Sequence, residues 1–313
     1  MNWLDHTRLL RLDPHEVDLE NRTYYIPDFQ ALDGLVTSIE NVGILNAPVL
    51  QEQAGGTLLP VLGRRRLQAA RLIGCSQVEA EIVSAAMSES EGFLLAFWDN
   101  IGHRSLGSAG SAVVVRRLLE LLPRETVARG FLPLLGIPPR GPRMERLRSI
   151  GGLEMPVLEA LGTGRIMEKT AIILTDLNSK ERAVLLDLVQ RLGLNANKAA
   201  EVIEHLFDLS VLHGKGILEF LDEGEVSVIL RNRDLPVPEQ SARFRELVRA
   251  WRFPELTKKE QEFQSWRRRL PESERISIQP TPAFEDERCT VKITAESWGE
   301  AEKIAMAVGT AIR

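Results

Sequence analysis

The hydrophobic period of this chain changes twice along its length, and each change limits what the residues on either side can build. Up to about residue 108, short stretches with two-residue alternation are interleaved with stretches at helical spacing. "FQALDGLVTSIENVG" places Leu32, Leu35, Val36, Ile39 and Val42 on one helical stripe, with Gly43 where a glycine cap falls. "APVLQEQAGGTLLPVLG" reads as two short strands about a Gly-Gly turn, the arginine-rich stretch after it as a helix closed by Gly74, and "VEAEIV" as a strand. Helix, hairpin, helix and strand in that order predict a small α+β domain over residues 1–108.

From residue 109 to about 224 the period is helical throughout, as in "SAVVVRRLLELL" and "NKAAEVIEHLFDL". In "NSKERAVLLDLVQRLG", Asn178 and Glu181 have capping-box spacing and Gly193 supplies the stop. Residues 225–272 are charged and broken by Pro236, Pro238 and Pro254, which predicts a connecting region with some helix. Over residues 273–313 alternation returns. "RISIQ" and "RCTVKIT" predict a hairpin with Ile276 and Ile278 on one face and Cys289, Val291 and Ile293 on another, and Ser297 and Glu300 open a final amphipathic helix. A ββα piece this small buries little apolar area alone, so it is expected to complete its core against a second copy. The whole chain is therefore read as α+β, with an all-helical middle.

No run approaches the ~18 apolar residues that a membrane span needs, and "MNWLDHTRLLRLDPHEVD" carries charges where a signal peptide would be apolar. A cytoplasmic protein without a membrane partner is expected. Cys75 and Cys289 are the only cysteines, too far apart in sequence for a CxxC zinc motif, and both are expected to be buried apolar thiols. The net charge of -5 is unevenly spread: residues 101–150 carry +6, as nine arginines against three glutamates, and the remainder -11. A local basic block suits nucleic acid, and equally a solvated helical surface.

"VLGRRRLQAARLIG" holds the sharpest local signal. The free N–H groups of a first helical turn already favour anions, so three cations there, Arg64, Arg65 and Arg66, disfavour the helix unless something negative joins them. With Gly63 allowing close backbone approach and arginines offering bidentate donors, a phosphate is one occupant. Pairing with Glu79, Glu81 or Asp99 is the other reading of the same residues.

The succession "LVTSIENVGILNAPVLQ", "LLPVLGRRRLQAARLIGCSQVEAEIV", "FWDNIGHRSLG" and "AVVVRRLLELL" resembles the amino-terminal domain of the ParB/RepB family of chromosome and plasmid partition proteins, a fold it shares with sulfiredoxins. The resemblance implies a CTP pocket. Gly63, Arg64, Arg65 and Arg66 would line its phosphate end, with Asp99 and Asn100 near the triphosphate and a magnesium ion. "LGIPPRGPRMERLRSIGGLEMPVLEALGTGRIMEKTAIILTDL" resembles the family's helix-turn-helix, which implies DNA contacts from Arg140, Arg143, Arg146 and Arg148, and the carboxy-terminal piece resembles its dimerisation module. A nucleoid-associated homodimer, closed as a clamp by nucleotide and partnered by a ParA-type ATPase, is what such a likeness implies.

This sequence departs from the family pattern in several places. Arg64 stands where a glutamate is usual, and "GHR" replaces Gln-Arg after Asp99-Asn100. Both changes weigh against CTP hydrolysis, and no catalytic residue is assigned. "SLGSAGSA" is read as small and flexible where acidic residues usually begin a helix. Pro138, Pro139 and Pro142 would break a recognition helix at its start, so its first turn is expected at Arg143. Two alternatives stay open: a nucleotide-independent regulator on the same architecture, and a phosphotransfer enzyme of the serine-kinase type with Asp99 as its base. His103 is expected to make a structural hydrogen bond.

Overall fold

The computed structural model describes residues 7–83, 85–232, 234–268, 275–284, 286 and 288–312. They fall into two compact units, residues 1–200 and 201–313.

The first unit opens with β1 (Arg8–Leu12), α1 (Asp33–Val42), β2 (Val49–Glu52), β3 (Leu58–Leu62), α2 (Arg64–Leu72), β4 (Val78–Val83) and α3 (Glu89–His103). The strands form one sheet in the order β1-β4-β2-β3. β2 and β3 are the expected antiparallel hairpin about Gly55-Gly56, whereas β2 runs parallel to β4, with Leu50 opposite Ile82. A parallel pair needs a crossover, and α2 supplies it. Leu50, Leu58, Leu67, Ala70, Ala80 and Ile82 close the core between sheet and helix, with Cys75 half-buried against it. Sequence reasoning missed β1, which pairs antiparallel with β4, Leu10 facing Ala80.

α4 (Gly107–Leu121) begins inside "SLGSAGSA". That corrects the expectation of a flexible stretch. Ala109, Gly110 and Ala112 are buried, and a Cβ at Gly110 would lie 3.1 Å from the Leu106 Cβ, so the small residues serve close packing rather than mobility. α5 (Arg124–Thr126) runs into a wide turn in which the Leu132 N–H reaches the Val127 carbonyl at 3.1 Å. Gly136 turns the chain at φ 68°, and α6 (Arg143–Ile150) starts at the residue the prolines indicated, directly after Pro142. α6 packs against α4, followed by α7 (Met155–Gly162), α8 (Glu168–Thr175) and α9 (Ser179–Arg191). The Asn178 cap forms as read: its Oδ1 accepts from the Glu181 N–H at 3.0 Å. Arg182, only 15% exposed, grips Glu154 through two nitrogens at 2.5 and 2.8 Å.

The division between units falls inside α10 (Ala196–His213). Beyond it lie α11 (Ile217–Leu221), α12 (Gly224–Arg231), α13 (Val237–Arg252) and α14 (Pro254–Arg267), so the stretch expected as a connecting region is largely helical. Phe244 and Val248 are buried, and ion pairs of Arg245 with Glu201, Arg252 with Asp208 and Arg249 with Glu260 run along the helices. β5 (Ile276–Pro280) and β6 (Cys289–Ile293) form the expected hairpin, and α15 (Trp298–Ile312) follows. Its register places Ile276 opposite Ile293 and Ile278 opposite Val291, so these residues share one face, not two. Cys289 is exposed, which overturns the expectation of a buried thiol there.

Candidate nucleotide cavity and basic helical face

The first turn of α2 borders a cavity of about 200 Å³ whose walls include Tyr25, Asp28, Gly63, the three arginines, Asp99, Asn100 and Arg104. Gly63 is required twice over. Its φ is +80°, a left-handed conformation that L side chains disfavour, and a Cβ there would lie 2.9 Å from both the Pro48 Cβ and the Arg66 guanidinium.

The arginines are held by three different means. Arg64 donates to the carbonyls of Leu19 and Asn21 and lies over the Tyr25 ring, 4.8 Å from its centroid. Arg66 donates to the carbonyls of Asn46 and Ala47. Arg65 alone has a charged partner: its Nη1 meets the Asp28 Oδ2 at 2.6 Å, while its Nη2 reaches the carbonyls of Gln30 and Ala31. The Arg65 Nε is buried without an acceptor, an N–H that nothing in the described structure satisfies. Burial lowers the affinity of Arg64, Arg66 and Arg104 for their protons and raises that of the Tyr25 hydroxyl. Desolvated cations matched mostly by neutral carbonyls define an anion-attracting site. None of the three pairs with Glu79 or Glu81; Glu79 is joined to Arg11 instead.

Asp99 and Asn100 line the same cavity from α3. The Asn100 amide is already engaged, its Nδ2 donating to the Ala96 carbonyl at 2.8 Å and its Oδ1 accepting from the Arg104 Nε at 2.7 Å. Among the described residues no group of three His, Cys, Asp or Glu side chains could hold a metal. Asp28 and Asp99 are the carboxylates that line the cavity, and with Asp28 paired to Arg65, Asp99 is the one that could ligate a divalent cation there. His103 stays outside the cavity and its Nδ1 lies 2.6 Å from the Asp99 carbonyl, the structural role expected of it.

Arg104 is the site residue that sequence reasoning missed. It reaches the cavity from one residue beyond the expected place, donating to the carbonyls of Ile26 and Pro27 at 3.2 and 3.0 Å. The signal was the arginine that closes "GHR": one extra residue at the end of α3 still returns a guanidinium to the cavity.

On the helical side, Arg143 is 3.3 Å from Glu168, and Arg148 is 3.3 Å from a Glu145 that Arg124 also engages. Arg140 and Arg146 are exposed and have no hydrogen-bond or ion-pair partner among the described residues. The four do not form one uniform patch: two are available and two are partly neutralised.

An α+β domain with an arginine-lined anion cavity, continued by a helical bundle with a glycine-turned helix pair, is the class of protein this fold defines. No family model matches the chain. A probable chromosome-partitioning protein ParB from Campylobacter jejuni is 24% identical over 196 residues, 63% of this chain and 67% of that protein. A probable plasmid-partitioning protein ParB from Thermus thermophilus is 35% identical over 92 residues, 29% of this chain and 30% of that protein. Over these residues the chain is similar to ParB partition proteins. Solved structures that align with it include the C-terminally truncated Caulobacter crescentus ParB complexed to the centromeric parS site, at 16% identity over 62% of this chain and 98% of that one, TM-score 0.30. The same truncated protein complexed with CTP-gamma-S aligns at 18% identity over 58% of this chain and 98% of that one, TM-score 0.25. A Pnob8-like ParB-N domain aligns at 10% identity over 79% and 98%, TM-score 0.36.

Proposed function

We propose that this chain is a DNA-binding partition protein whose amino-terminal cavity binds CTP as a conformational switch. The observation that carries the reading is the desolvated arginine turn of α2, which lines one cavity together with Asp99 and Asn100. Phosphates would take the Arg65 and Arg66 guanidinium groups and the free N–H groups of the first turn. A magnesium ion would enter with the nucleotide at Asp99. Arg64 serves to anchor the segment around residues 19–25 rather than to hold phosphate, because both of its terminal nitrogens are given to that segment.

Binding energy reaches the rest of the chain only through a state to which nucleotide binds better. In this account that state is a closed dimer encircling DNA. Dimerisation would use residues 273–313, where Val291, Trp298 and Met306 are 37%, 94% and 63% exposed on a module too small to complete its own core. Sedimentation should give a dimer for the full chain and a shift toward monomer for Met306→Glu; a monomeric wild-type chain would exclude the clamp. ParA-type ATPase pairing and nucleoid association follow from the same reading.

Arg66→Ala tests the site. The lost charge-assisted bonds predict a fall in CTP affinity of about tenfold or more, with circular dichroism unchanged. Unaltered affinity would remove Arg66 from the site. A nucleotide-independent DNA-binding protein is the second reading, favoured by one observation: every arginine of the turn already has acceptors.

A further inference from the structure

Asp28, from the segment between β1 and α1, forms an ion pair with the arginine turn at Arg65 and is only 12% exposed. A single oxygen, Oδ2, serves two cations: it lies 2.6 Å from the Arg65 Nη1 and 3.9 Å from the Arg104 Nε. Its other oxygen accepts the Gln30 N–H at 3.1 Å and so shapes the turn that carries it. Asp28 and Arg104 also line an adjoining cavity of about 380 Å³, so the carboxylate stands at the junction of two spaces.

Arg66 is held by neutral carbonyls, which leave its charge available to an anion. Arg65 is held by a full negative charge. Any phosphate oxygen that approaches the Arg65 and Arg104 guanidinium groups meets that charge at the same position, and two anions cannot share it.

We infer that Asp28 is a resident counter-anion of the cavity: it holds at Arg65 and Arg104 the place that a ligand phosphate takes, so that binding is an exchange of one anion for another. The inference rests on the nucleotide reading of the same cavity. The exchange makes Asp28 a determinant of affinity. A polyphosphate, which gathers several negative charges, displaces it; an isolated phosphate of lower charge competes poorly. The alternative role for the same contacts is positioning, with Asp28 holding Arg65 and Arg104 ready for phosphate. The two roles predict opposite signs.

Calorimetric titration of the full-length wild type, Asp28→Asn and Asp28→Glu with CTP, and separately with sodium tripolyphosphate, reads that sign. The asparagine keeps an oxygen for the Gln30 N–H and removes the charge, so D28N is expected to bind both ligands at least about fivefold tighter, equivalent to the ~1 kcal/mol repulsion of two charges ~4 Å apart even in water. D28E keeps the charge and is expected to show no such gain. Where D28N fails to fold, Asp28→Ser carries the same expectation. Tripolyphosphate binding in D28N without measurable binding in the wild type also supports the exchange. Equal or weaker binding by D28N, with the wild type binding CTP, overturns the counter-anion role and leaves the nucleotide site standing. Absence of binding to every form of the chain overturns both.

Discussion

Replacing Arg140 and Arg146 together with alanine should weaken DNA binding in a way that salt identifies. These two are exposed and unpartnered among the described residues, whereas Arg143 and Arg148 each face a glutamate. A cation that neutralises one phosphate of duplex DNA contributes about 0.9 to the slope of log affinity against log salt. The double variant should therefore flatten the slope by about 1.8, and a fourfold rise in salt from roughly 50 to 200 mM should cost the wild type about tenfold more affinity than it costs the variant. Arg143→Ala and Arg148→Ala, whose charges are partly spent on Glu168 and Glu145, should each change the slope by less. Fluorescence anisotropy of a labelled duplex, titrated at several salt concentrations, provides the slopes. If the double variant keeps the wild-type slope, the phosphate contacts lie elsewhere and the basic block at residues 101–150 is a solvated surface.

The Glu154–Arg182 pair makes a second prediction. Hydrogen bonds from Arg182 hold the Glu154 carboxyl down at about 2, against 4.5 for an ordinary glutamate. A folded-state value below the unfolded one stabilises the fold above about pH 4.5, and that contribution is lost as pH falls toward 2. Glu154 is 41% exposed, so solvent screening reduces its worth to about 1–2 kcal/mol. Urea denaturation of Glu154→Gln should show that deficit at pH 7, narrowing as pH falls toward 2. A gap that does not change with pH would assign the loss to something other than the charge.

Much of this architecture was legible because local signals agreed with the tertiary outcome. α1 ends at Gly43, α9 begins on its Asn178 box and α6 begins at Arg143, since a glycine cap, a capping side chain and a proline each act within a few residues. What was missed depends on partners distant in sequence. "RLLRL" becomes a strand because β4 offers a free edge, and nothing inside the five residues announces that. Asp28 lies 37 residues from Arg65, in a segment without helix or strand, so no spacing rule connects them. "SLGSAGSA" misled because small residues serve flexible linkers and tight packing alike, and only neighbours such as Leu106 decide between them. The faces of the carboxy-terminal hairpin depended on register, which alternation within each strand does not contain. Of the candidate site, the arginine turn with Asp99 and Asn100 was readable from the motif, while Arg104 was hidden by a one-residue offset.

Calorimetric titration of the full chain with CTP, ATP and GTP, each with and without magnesium, decides whether the arginine turn is a nucleotide site. Saturable binding of CTP at one site per chain, clearly tighter than ATP or GTP and strengthened by magnesium, is the predicted result. Heats no different from dilution for all three nucleotides, with DNA binding intact in the same preparation, would contradict it and leave a nucleotide-independent DNA-binding protein.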